Sequence, residues 1–405
     1  MKVLFFSPGF PGEMPLFSRG LAEVGARVWG LGDQPAQALP EGVRRALSGY
    51  VQVASLWDEE AAVAAARKAH REVGFDRVEC LWEPGMLVAA RMREALGLPG
   101  MTVAETVPFR DKEAMKRVLD RAGIRTPRHA RAATARAVRA AAEAIGYPLI
   151  VKPIAGAGSA DTHRIENGRE LEAVLPRLAH VPEVSVEEFV DGEEYTFDTV
   201  SIGGEIAYFN IGWYRPRPLV ARTVEWISPQ TVALRNVEAD RLAPGRAMGR
   251  AVLEALDFRT GFSHMEWYLK ADGEAVFGEI GARPPGARTV DTMNFACDLD
   301  LYRGWAEAVA HRRFSQPIAR RYNSVVIFKR ARGQGRIRHI EGLQNLLARF
   351  GPGIVSVDLL PLGAPRRNWK QSLLSDGWVL VRHPDLASAL AMADAVGTDL
   401  QIFAG

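Results

Sequence analysis

Residues 261–283 read GFSHMEWYLKADGEAVFGEIGAR, two apolar-rich runs separated by Asp272-Gly273. An Asp-Gly pair between alternating runs is a preferred two-residue hairpin turn. With that turn, Ala271 stands opposite Glu274, and counting outward sets Glu266 opposite Glu279. Directly paired residues share a face with Cβ atoms about 4.5–5.5 Å apart, and like charges placed so repel. A divalent cation between the two carboxylates removes the penalty, and magnesium favours one or two carboxylates completed by phosphates and water. Trp267, Leu269 and Val276 are expected on the other, core-facing side. The alternative is an exposed hairpin whose glutamates splay into water. Arg283 weighs against it, because a planar guanidinium suits phosphoryl oxygens.

Working back along the chain, Lys152 lies inside the apolar run YPLIVKP, where a charged side chain needs a partner. The chain has only eight lysines, so each is informative. Residues 155–159, AGAGS, follow directly. Glycines there let backbone N–H groups approach a phosphate, but the run is neither a P-loop nor a full dinucleotide fingerprint. Glu187-Glu188-Phe189-Val190 ends another strand and offers a carboxylate and a strand edge, a pattern that alone is common on surfaces.

The remaining sequence frames these elements. A chain of 405 residues exceeds one ordinary domain, and 47% hydrophobic with 24% charged residues is a globular balance. The formal charge of +3 implies no polyanionic partner, and the arginines of residues 130–144 lack interleaved aromatics, so no nucleic-acid face is expected. No run of 18 apolar residues is present, so no membrane span is expected. MKVLFF reads as a first strand rather than a leader, and Cys80 and Cys297 as free core thiols; both suit a cytoplasmic protein. The first hundred residues alternate strand and helix, an α/β pattern predicting a doubly wound, Rossmann-like parallel sheet with ligand groups at strand ends, notably Ser7–Gly12 and Glu83. For Glu83 a helix-start acid favoured by the dipole is the equal alternative. Residues 110–150 are read as helical, and the chain beyond about 320 as a small α+β unit.

In order, Asp111-Lys112, Ile150-Val151-Lys152-Pro153, the glycine loop, Glu187–Val190, Gly192-Glu193-Glu194, Glu266 and Glu279-Ile280-Gly281-Ala282-Arg283-Pro284 resemble the ATP-grasp superfamily over roughly residues 108–312. The flanks are similar to biotin carboxylase-like members, and among subgroups the chain looks most like L-amino-acid ligases. The resemblance implies an ATP-grasp fold with an N-terminal Rossmann-like domain (1–107), an ATP-grasp domain (108–315, lid about 120–190) and a C-terminal α+β domain (316–405). It implies ATP and Mg²⁺ or Mn²⁺, small carboxylate and amine partners, and a homodimer as the default state. Lys112 and Lys152 would hold phosphates under a lid containing Gly156, Gly158 and Ser159. Glu187 and the backbone of Glu188 and Val190 would meet adenine, and Glu194 the ribose. Glu266 and Glu279 would bind metal, and Arg283 would steady an acyl-phosphate before an amine displaces phosphate. Many relatives carry Asn where this chain has Gly281, which puts a third metal ligand in doubt. Glu83, which would fit an ammonium group, Glu225 and Arg288 are the expected substrate contacts, and His264 a possible proton carrier. A bicarbonate-activating carboxylase and a nucleotide-binding protein without turnover are the competing readings.

Overall fold

The computed structural model describes residues 1–154, 161–372 and 374–405. The N-terminal strand Lys2–Phe6 is apolar on both faces and buried on both. Val3 and Phe5 enter one core cluster, Leu4 and Phe6 another. Such a strand belongs inside a parallel sheet covered on two sides. It pairs in parallel with Arg27–Gly32 and Arg77–Glu79, and Leu47–Gln52 completes a four-stranded sheet. Helices Glu59–Val73 and Met86–Leu96 belong to the strand–helix alternation expected of the first hundred residues. Helix Met14–Glu23 packs closely on helix Leu301–His311, because Gly20 leaves room where a Cβ would come within 2.5 Å of the Tyr302 carbonyl oxygen. The N-terminal sheet is thereby anchored to the rest of the chain through Phe17, Tyr302 and Trp305.

A second four-stranded sheet, all antiparallel, runs in the order His129–Ala132, Val184–Glu188, Leu149–Pro153, His163–Ile165. Strand His129–Ala132 interrupts the region expected to be helical, separating helices Lys112–Arg121 and Ala135–Ile145. Its sequence, HARA, carries no β-branched residue, so its strand state comes from pairing with Val184–Glu188 and not from propensity.

The largest sheet has eight strands, ordered Ala275–Gly281, Gly261–Leu269, Glu193–Ile202, Glu205–Arg215, Gln230–Ala233, Asn323–Phe328, Gly377–His383 and Ile354–Leu359. Three of these lie beyond residue 316. The expected boundary therefore cuts through one continuous sheet: Gln230–Ala233 pairs with Asn323–Phe328 along its whole length. Only the small sheet of Arg332–Gly333, Gln401–Ala404 and Ile337–Glu341 stands apart. Among the described residues no helix is long and apolar enough to cross a membrane.

Candidate active site

The hairpin Gly261–Gly281 brings Glu266 opposite Glu279, by a route that differs from the simple count. The loop has three residues, closed by Lys270 N–H to the Glu274 carbonyl and with Gly273 at φ 88°, so Leu269 faces Ala275. That register is one residue off, and a bulge restores it: Trp267 pairs with Phe277, then Glu266 with Glu279, leaving Gly278 as the extra residue. A Cβ on Gly278 would lie 2.8 Å from the Glu266 carbonyl oxygen, so the close approach requires glycine. The loop's one-residue offset also corrects the expected core face. Phe277, not Val276, joins Trp267 in the central core.

Both glutamates open onto a cleft of about 1080 Å³ between the eight-stranded sheet and the second four-stranded sheet, their side chains 30% and 29% exposed. The Tyr214 hydroxyl donates to Glu266 Oε1 at 3.1 Å. His264 Nε2 lies 3.6 Å from the same oxygen, and its Nδ1 is 2.6 Å from Asp198 Oδ1. Asp198 is fully buried and accepts from Thr196 and Asn210. Burial pushes the Glu266 carboxyl up, but His264, Arg283 and Tyr214 outweigh it and hold the group below the usual range. Glu194, in the same cleft, moves the other way, raised by burial and by the Glu266 charge against the pull of Arg217.

Cations ring the pair. Asp111 caps helix Lys112–Arg121 by accepting from the N–H groups of Glu113 and Ala114, and this aims Lys112 into the cleft, its Nζ 3.1 Å from Glu279 Oε1. One turn later Lys116, wholly buried, contacts Glu187 Oε1 at 2.7 Å, while Lys152 contacts Oε2 at 2.9 Å. Burial would raise the Glu187 carboxyl, but the two ammonium groups drive it well below the ordinary value. Two cations share one anion here. The same arrangement recurs at Glu83: Arg283 donates Nε and Nη2 to Oε2 at 2.8 and 2.6 Å, and Arg110 donates to Oε1. Glu83 thus meets two guanidinium groups in place of the expected ammonium.

The cleft collects Glu83, Lys112, Lys152, Glu187, Val190, Glu194, Glu266, Glu279 and Arg283 from segments up to 200 residues apart. Other expectations are corrected. The Glu187 carboxylate is engaged by lysines. Glu188 touches the cleft rim, but its carboxylate pairs outward with Arg125 and Arg128 and its N–H donates to the Arg128 carbonyl, so that N–H is committed within the fold. Glu225 pairs with Arg366 of the C-terminal region, and Arg288 pairs with Asp291 at 2.9 Å and stacks on Trp378; neither lines the cleft. Gly156, Gly158 and Ser159 lie outside the described residues. Sequence reasoning missed Lys116, Arg110, Asp198, Tyr214 and Arg217. Lys116 had a signal, its i+4 spacing from Lys112 on a capped helix. Arg217 had none: its guanidinium lies between the rings of Phe189 and Tyr268, 5.0 and 4.9 Å from their centroids, with Nε 3.3 Å from Glu194. At Gly281, a Cβ would press on the Arg283 side chain at 3.3 Å.

An ATP-grasp N-terminal domain matches residues 23–100 and an ATP-grasp domain residues 109–212. The L-arginine-specific L-amino acid ligase of Bacillus subtilis is 27% identical over 221 residues, 52% of each chain. The alanine–anticapsin ligase of Bacillus subtilis strain 168 is 27% identical over 266 residues, 60% of this chain and 56% of that protein. The chain thus spans about half the length of the curated relatives it matches. In structure, it superposes on L-amino acid ligase from Bacillus licheniformis with a TM-score of 0.82 at 22% identity, covering 100% and 98% of the two chains. N5-carboxyaminoimidazole ribonucleotide synthetase from Thermotoga maritima follows the same fold, with a TM-score of 0.73 at 18% identity, covering 100% and 99%. The chain thus carries an ATP-grasp fold, in which an ATP-grasp N-terminal domain is followed by an ATP-grasp domain and two antiparallel sheets enclose a carboxylate-and-lysine cleft.

Proposed function

We propose that this chain is an ADP-forming ligase that activates a small carboxylate with ATP and couples it to an amine, with amino-acid-like substrates on both sides. The observation that carries the reading is the Glu266–Glu279 pair, held face to face in a cleft lined by Lys112, Lys152 and Arg283, with Arg110 paired to Glu83. Two half-open carboxylates fit the donor set of a magnesium ion shared with phosphates and water. Among the described residues no group of three acidic, His or Cys side chains is gathered there. When bound, such an ion would neutralise triphosphate charge.

The side chains of this chain do the rest. Tyr214 and His264 orient Glu266. Lys112 and Lys152, with Lys116 behind, present positive charge to phosphate oxygens. Arg283 and Arg110 outnumber their shared anion, so that end of the cleft faces growing negative charge with a net cation, as stabilisation of an acyl-phosphate and of its tetrahedral successor requires. Phosphoryl transfer of this kind needs positioning and charge compensation, not an enzyme nucleophile.

The test is a phosphate-release screen of paired amino acids and small carboxylates, with product masses measured. Parent protein should form ADP and a condensed product; Glu279→Ala should lose both while keeping its circular dichroism spectrum. Turnover at the parental rate in Glu279→Ala would remove the metal role. ADP formation that depends on bicarbonate and not on an amine would replace the ligase with a carboxylase.

A further inference from the structure

A second pocket, of about 620 Å³, opens at the carboxyl ends of strands Lys2–Phe6 and Arg27–Gly32 in the N-terminal sheet. Strand ends of open parallel sheets are where such folds hold ligands. Its walls are aromatic. Trp82 lies on Phe6 and meets Trp57 and Phe10 nearly at right angles, with centroids 5.4 and 6.1 Å away and ring planes at 68° and 76°. Trp57 and Phe10 are 71% and 55% exposed, an unusual outlay of large apolar surface on one small loop cluster.

Local structure fixes the backbone at both residues. Ser7, at a φ of 54°, donates its hydroxyl to the Phe10 carbonyl at 2.6 Å, and its N–H donates to Leu31. Trp57 N–H donates to Ser55 Oγ at 3.1 Å, one residue before Asp58 caps helix Glu59–Val73. Asp33 lies in the same pocket. It is exposed, has no ion-pair partner among the described residues, and accepts only a 3.4 Å contact from Leu56 N–H.

Aromatic faces set at angles, with a carboxylate lacking a counter-ion, are complementary to a cationic nitrogen group. Trp82, which lines this pocket, is followed directly by Glu83, which lines the main cleft.

We propose that this pocket binds the cationic side chain, ammonium or guanidinium, of an amino-acid substrate whose reacting end lies in the main cleft. The proposal deepens the ligase reading and rests on it for the identity of the ligand as a substrate; binding itself is tested without turnover. Titration calorimetry of the full chain with L-arginine, L-lysine and L-norleucine, without ATP, should show both cationic amino acids binding more tightly than L-norleucine. Asp33→Asn and Trp57→Ala should each weaken L-arginine by roughly tenfold, with Mg-ATP affinity unchanged. Parental L-arginine affinity in both variants, equal affinity for L-norleucine, or absence of binding by either cation overturns the proposal. So does a Trp57→Ala variant whose only change is its oligomeric state by sedimentation, which would make this face a contact between copies. The phosphate-release screen run alongside separates the two claims: no ligase product with L-arginine binding intact sinks the ligase reading alone.

Discussion

Glu187→Gln should destabilise the protein strongly, and the reason lies in one charge count. Lys116 and Lys152 lie 2.7 and 2.9 Å from the two oxygens of Glu187, and Lys116 has no solvent exposure. The amide removes the charge that both lysines contact and leaves two ammonium groups facing each other. At roughly 6 Å and an effective dielectric near 20, their repulsion is about 3 kcal/mol. Breaking a buried ion pair by removing one partner costs about 3–5 kcal/mol, so a loss of about 4 kcal/mol is expected. Lys116→Met in the same background removes one of the two stranded cations and should recover about 3 kcal/mol of it. Urea unfolding followed by circular dichroism measures both, with the slope compared between variants to confirm that the denatured state is alike. The pH dependence supplies a second check. The folded Glu187 carboxyl is depressed below its ordinary 4.5, so its contribution is present above the unfolded value and is lost only as pH falls through the lower folded one. The gap between parent and Glu187→Gln should therefore persist at pH values near 4.5. A Glu187→Gln variant within about 1 kcal/mol of the parent, or a double variant no more stable than the single one, would refute the buried-triad account.

Gly278→Val should force the bulge apart, because any Cβ there meets the Glu266 backbone; expected are a loss of about 1–3 kcal/mol in stability and a clear drop in Mg²⁺-dependent nucleotide affinity by calorimetry, and parental metal dependence would count against the bulge as the device that aligns the carboxylates. His129 is pulled down by burial but pushed up further by Glu113 and Asp120, each 2.8 Å from a ring nitrogen, so its folded pKa is above 6.5. Its stabilisation is complete below 6.5 and fades as pH rises through the folded value, so His129→Gln should flatten the fall in stability that the parent shows above 6.5; parallel pH profiles would contradict this.

Local chemistry accounts for much of what was legible in the sequence. The helices Glu59–Val73 and Met86–Leu96 are readable because their apolar spacing and their terminal residues, Asp58 and the left-handed Gly74 and Gly97, act within a few residues. The Glu266–Glu279 juxtaposition was legible for a similar reason, since one tight turn sets the register between residues only 13 apart, although the count held only because a three-residue loop and the Gly278 bulge offset each other. What acts across the chain was not legible. Lys116 and Glu187 are 71 residues apart, and Glu83 and Arg283 are 200 apart. No periodicity encodes either meeting; both follow from two sheets closing on one cleft. The continuity of the eight-stranded sheet past residue 316 and the strand state of His129–Ala132 are likewise products of pairing partners distant in sequence. The sequence by itself determined the helices of the N-terminal region and the hairpin that pairs the two glutamates, because those depend on neighbours along the chain. Tertiary structure alone decided which cations neutralise which carboxylates and which side chains the cleft gathers, because charge pairing in a buried site depends on distance in space.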